Sequence, residues 1–121
     1  MNYASKAYAK TAIETAAPRE LEAALLLKAA AKLQAVRDSW REKPADLHEA
    51  VQYNRKLWTI LLDALNRHDN GLPAKTRDNL LRLGVYILAE SFSLMTAPNP
   101  KHLDGIIKIN RGIAAGLRSK S

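Results

Sequence analysis

Five prolines and one Asn-Gly pair divide this chain into stretches that all carry the same apolar period. The breakers stand at Pro18, at Pro44, at Asn70-Gly71 with Pro73, and at Pro98 with Pro100. Between them apolar residues recur at intervals of three and four, the spacing of a helix that buries one face. No alternating run of β-branched residues survives beyond three positions, so strands have no support. The expected fold is all-α: a compact bundle of about five helices, mostly antiparallel neighbours because the connections are short. At 121 residues the chain has the size of a single helical domain spanning 1–121, long enough to bury a core without staples.

Residues 1–16 form the least secure stretch. A short helix from about Tyr3 to Thr15 would place Ala4, Ala7, Tyr8 and Ala12 on one side. So short and alanine-rich a helix is marginal unless docked, and it is expected as a mobile N-terminal element. The next helix opens at Pro18, with Glu20 and Glu22 near the positive end of its dipole and a stripe of Leu21, Leu25, Ala29, Leu33, Val36 and Trp40. A third starts at Asp46, a natural N-cap with Glu49 three residues on, and carries Leu47, Val51, Asn54, Leu57, Trp58, Leu61 and Leu65. Trp58 lies mid-stripe and is expected to be buried. The fourth, from Pro73 to about Met95, is apolar nearly all round between Leu80 and Leu88, so it should be central or covered by a partner. The last runs from about His102 to Leu117, with Leu103, Ile106, Ile107, Asn110, Ile113 and Leu117 on one face.

Nothing in this pattern supports catalysis. There are no cysteines, which removes disulfides, thiol nucleophiles and cysteine-based metal sites. His48, His68 and His102 never pair at the spacing of four that a helical metal site uses. Ser91 and Ser93 lie inside a helix without a nucleophile elbow, and Glu49, Asp63 and Glu90 are scattered. No glycine loop could cradle a phosphate, and Gly84 reads as a close-packing point. No metal, cofactor or catalytic residue is therefore expected, and the chain reads as non-enzymatic.

The net charge of +7 raises the question of nucleic acid. The basic excess is spread over 1–45 and 71–121, with no run of five like charges, and reads as a solvated surface. A helix-turn-helix across 60–66 and 74–89 would put the apolar stretch Leu80 to Leu88 into a DNA groove, so an ordinary αα-hairpin is preferred. Direct nucleic-acid binding and membrane insertion are not expected: no eighteen apolar residues run together, and no secretory signal opens the chain. The expected location is the cytoplasm.

Two asparagines, Asn54 and Asn110, occupy positions where the period asks for an apolar residue, and each is followed by an arginine, Arg55 and Arg111. Burying an amide without partners costs about 1–3 kcal/mol. Either these are paired core amides that fix helix register, or one of them contacts a bound partner.

The same segments carry a family resemblance. Asn54-Arg55-Lys56-Leu57-Trp58, the turn Asn70-Gly71-Leu72-Pro73, and Ile107 through Asn110-Arg111 to Gly116-Leu117 are similar in order and spacing to the FlaF family of bacterial flagellar biosynthesis regulators. Tyr8 and Pro18-Arg19-Glu20 agree with it as well, whereas Ala17 replaces the family's usual Ser or Thr before that proline. The resemblance implies a small cytoplasmic protein needed for flagellin production, similar to an export chaperone and working beside a flagellin-mRNA regulator. Its implied partner is the terminal helical region of flagellin, an amphipathic helix that would lie in a hydrophobic groove. Candidate groove residues are Leu25, Leu26, Leu80, Leu83, Val85, Ile87 and Leu88, together with Tyr8. The N-terminal stretch, with Tyr3, Tyr8 and Ile13, could cover the groove when no client is bound. Rival classes are a post-transcriptional regulator acting through RNA or an mRNA-binding partner, and a scaffold subunit of the export apparatus.

Overall fold

A computed structural model describes residues 18–41, 44–67 and 72–119. Within them are four helices and no strand: α1 (Pro18–Asp38), α2 (Leu47–Leu65), α3 (Ala74–Thr96) and α4 (Lys101–Ser119). The expected all-α bundle is what the described residues adopt, and four of the about five expected helices lie among them. The helix expected near Tyr3 to Thr15 lies outside the described residues.

Proline sets three of the four starts. Pro18 opens α1, where a missing N–H costs nothing. Pro73, with φ −58° and ψ 146°, is the last extended residue before α3. Pro100 immediately precedes α4, and there the side-chain oxygen of Asn99 accepts the Lys101 N–H at 3.0 Å. That cap has no counterpart in the sequence reading. The opposite correction applies to Asp46, which holds the N-cap position of α2 but makes no side-chain cap bond. Its backbone is already helical there, at φ −85° and ψ −4°, which turns the carboxylate away from the free amides. Glu49 reaches across to Lys32 on α1 at 3.3 Å instead of closing a capping box.

Sequential helices run antiparallel, and α4 closes back on α1. Arg37 at the end of α1 meets Asp104 at the start of α4 at 2.9 Å, and Glu90 near the end of α3 meets His102 at 2.6 Å. Each of α1 and α3 therefore packs on both α2 and α4, and the most extensive of these interfaces joins α1 to α4. Small residues allow that approach: Ala23, Ala29 and Ala30 of α1 and Ala114 of α4 are buried. The core between them is filled by Leu26, Leu33, Val51, Trp58, Ile87, Leu94, Leu103 and Ile106, all essentially without solvent contact.

Two expectations about faces change. The buried stripe of α1 is Ala23, Leu26, Ala29, Ala30, Leu33 and Val36, while Leu21 is exposed and Leu25 only half-buried. A helix wedged between two neighbours turns its small residues toward the closer one, so alanines count as core where a leucine-weighted stripe misses them. Helix α3 is not central. It buries Gly84, Ile87, Ser91 and Leu94, and it leaves Val85 at 67% and Phe92 at 69% exposure. Close contact on its inner side comes from glycine: a Cβ at Gly84 would collide with the Leu62 side chain of α2. Ser91 is tolerated in the core because its hydroxyl donates to the Ile87 carbonyl at 2.7 Å.

Candidate functional site

The apolar stripes of α2 and α4 run to their C-terminal ends, and antiparallel packing sets those ends beside the starts of α1 and α3. There the four helices leave a pocket of about 430 Å³. Leu26 of α1, Trp58, Leu61, Ala64 and Leu65 of α2, Leu80 of α3, and Ile113 and Leu117 of α4 line it. Leu72, just before α3, and the polar side chains of Arg19, Glu22 and Arg67 complete its border. A pocket of this size falls within the usual range for ligand sites, about 300–1,000 Å³. It has room for a few large side chains but not for a whole helix.

One wall of the pocket is held by a chain of buried polar groups. Trp58 Nε1–H donates to Asn110 Oδ1 at 3.0 Å, and Asn110 Nδ2 donates to Asn54 Oδ1 at 2.7 Å. The indole can only donate, so the orientations of both amides follow from it in sequence. All three side chains are buried, which decides the question left open by the sequence: the asparagines are core amides tying α2 to α4. Asn54 Nδ2 is left without a hydrogen-bond partner. Trp58 is thus buried as expected while one part of its ring faces the pocket, and its angle is set from behind by Asn110. The arginines that follow the two asparagines, Arg55 and Arg111, are exposed.

Glu22 is the charged group most affected by the site. Burial raises the pKa of its carboxyl above the ordinary value, and the nearby Arg19 guanidinium partly offsets that rise. The pocket border therefore carries a carboxylate that is incompletely solvated.

The sequence-nominated groove residues fall in three places rather than one. Leu26 and Leu80 reach the pocket. Ile87 is fully buried, and Leu25 and Leu83 are half-buried against the core. Val85 faces outward on α3 with Tyr86 and Phe92, and Leu88 is half-buried on the same helix. Tyr8 lies outside the described residues. Leu61, Leu65, Ile113 and Leu117 were legible only as stripe residues, because nothing along one helix tells which end of its stripe the neighbours leave uncovered. Among the described residues no group of His, Asp and Glu could hold a metal ion, and no helix is long and apolar enough to cross a membrane.

In comparison with known families, the family described as "Flagellar protein FlaF" matches residues 4–117. No curated protein and no solved structure matches the chain.

Proposed function

Because the chain belongs to the FlaF family of flagellar proteins, we propose that it is a non-enzymatic, flagellin-binding export chaperone that receives its client at the pocket between the helix ends. The observation that carries this reading is the pocket itself: an apolar cavity of about 430 Å³ opened by the ends of all four helices. An amphipathic helix recognised in a groove inserts a few anchors at i, i+3, i+4 and i+7 and leaves its polar face in water. The pocket suits such anchors in size and lining. Flagellin's terminal region, a long amphipathic helix, is the client of matching chemistry, and holding its anchors would keep apolar faces from meeting before export.

Calorimetry with a synthetic peptide from the terminal helical region of flagellin tests the proposal. One-to-one binding at micromolar concentrations is expected, and it should barely change between low and high salt because the contacts are apolar. Leu80→Asp and Leu117→Asp, each at a half-buried pocket position, should abolish it while circular dichroism stays native. Leu26→Asp is unsuitable, because Leu26 has no solvent exposure and a charge there would unfold the bundle. A folded protein that ignores the peptide but binds RNA with a steep salt slope would replace this reading with the post-transcriptional one.

A further inference from the structure

We infer that the outward face of α3 is a homodimer surface: two copies of the chain pair antiparallel along Leu81, Val85, Leu88 and Phe92. The first observation is that α3 has two apolar faces. Its inner side buries Gly84, Ile87, Ser91 and Leu94, whereas Val85 and Phe92 are 67% and 69% exposed. Leu81 and Leu88 are half-buried and stand outside the core cluster. At about 100° per residue, the four side chains of this row fall within about 60° of the helix circumference. So narrow a stripe, at alternating intervals of four and three, is the seam of a helix pair rather than the broad face of a helix lying on a core. The other exposed aliphatics, Leu21 on α1 and Ile60 on α2, are single side chains.

The second observation selects the occupant. A two-fold interface needs a patch that is complementary to itself. The intervals from Leu81 to Phe92 are four, three and four, which read the same from either end. A two-fold axis midway, between Tyr86 and Ile87, therefore sets Val85 against the second copy's Leu88 and Leu81 against its Phe92. A smaller side chain then meets a larger one at each contact, as close packing favours. Charge fixes the direction. Lys75, Arg77, Asp78 and Arg82 precede Gly84, and within α3 Glu90 alone follows it. Parallel pairing would stack the basic halves on each other, whereas antiparallel pairing brings Arg82 level with the second copy's Glu90.

A contact of three turns, about 17 Å long, falls short of the roughly 800 Å² per partner of a standard interface, so the dimer is a weak one. It goes beyond the chaperone reading and leaves the pocket free. Leu80 and Leu117 turn toward the pocket, and the pocket ends of an antiparallel pair point apart.

Sedimentation of the full chain over micromolar to millimolar concentrations tests the surface. The weight-average mass of the wild type should climb from one chain toward two. Val85→Glu and Phe92→Glu should each stay at one chain with unchanged circular dichroism, because both positions are exposed and neither change reaches the core. Direction is read by cross-linking, since the chain has no cysteine of its own. Asp78→Cys and Thr96→Cys, both exposed and just beyond the ends of the seam, are mixed and oxidised. Antiparallel pairing predicts cross-links between the two variants and several-fold fewer between copies of one. Cross-links mainly between copies of one variant overturn the proposal. So does a wild type that remains one chain throughout, or a dimer that survives both glutamate substitutions. A monomer whose binding of the flagellin peptide is lost in Val85→Glu overturns it as well, since the face would then belong to the client.

Discussion

At the residue scale the protein turns on Trp58 and the two amides behind it. Asn110 is the joint of that chain, accepting from the indole and donating to Asn54. Asn110→Leu strands both the Trp58 N–H and the Asn54 amide, each at about 1–3 kcal/mol, and should lower the urea stability by about 2–4 kcal/mol. Asn54→Leu added to that variant removes one stranded amide, so the pair should cost clearly less than the sum of the singles. Strict additivity in the double-mutant cycle would mean the three groups do not act as a unit. Glu22 offers a second test at this scale. Its carboxyl binds a proton more tightly in the folded state, so it favours folding fully below its unfolded-state pKa, and that contribution is lost as pH rises through the raised value. Glu22→Gln should therefore be more stable than wild type at neutral pH, with the gap closing as the solution is acidified toward the carboxylate range. A gap that widens on acidification would contradict the assignment.

At the scale of elements, two glycines on helices make opposite predictions from the same chemistry. Gly84 sits where α3 presses on α2, and a Cβ there strikes Leu62, a half-buried side chain with core neighbours. Gly84→Val should cost about 1–3 kcal/mol by overpacking. Gly112 lies on the exposed side of α4 with nothing within 4 Å of a Cβ. Gly112→Ala should stabilise by up to about 1 kcal/mol, since alanine is the better helix former and no neighbour must move. Thermal melts of the two variants read both signs. Should Gly112→Ala instead abolish peptide binding without loss of stability, that face of α4 would belong to the interface.

For the molecule as a whole, stability rests on burial rather than on charge. The ion pairs Lys32–Glu49 and Arg37–Asp104, along with the two lysines over the Tyr53 ring, lie on partly or fully exposed surface. Exposed pairs contribute less than about 1 kcal/mol, and the net charge of +7 works against compaction. Raising sodium chloride to about 1 M, where the screening length is about 3 Å, should leave the melting midpoint unchanged or slightly higher. A large drop would show that the pairs joining α1 to the starts of α2 and α4 hold the bundle together.

The four described helices, their proline-marked starts and much of the buried face of α2 and α4 were written into the sequence, because proline, glycine and apolar spacing act within a few residues of where they stand. Pro18 and Pro73 marked helix starts from the primary structure alone, and the period of α2 placed Trp58 and Asn54 on its buried face. What the period could not decide was which neighbour a face meets. The leucine-rich middle of α3 read as central or covered by a partner; it is not central, because α3 packs mainly on α2 and α4 and turns Val85 and Phe92 outward. Ala23 and Ala30 lay outside the expected stripe of α1 and are core because α1 lies against α4. The pocket belongs wholly to this second level. Leu26, Trp58, Leu80 and Leu117 come from four helices, far apart along the chain, and a cavity is the volume that converging ends fail to fill. No local pattern encodes that volume, because it depends on where all four backbones stop relative to one another.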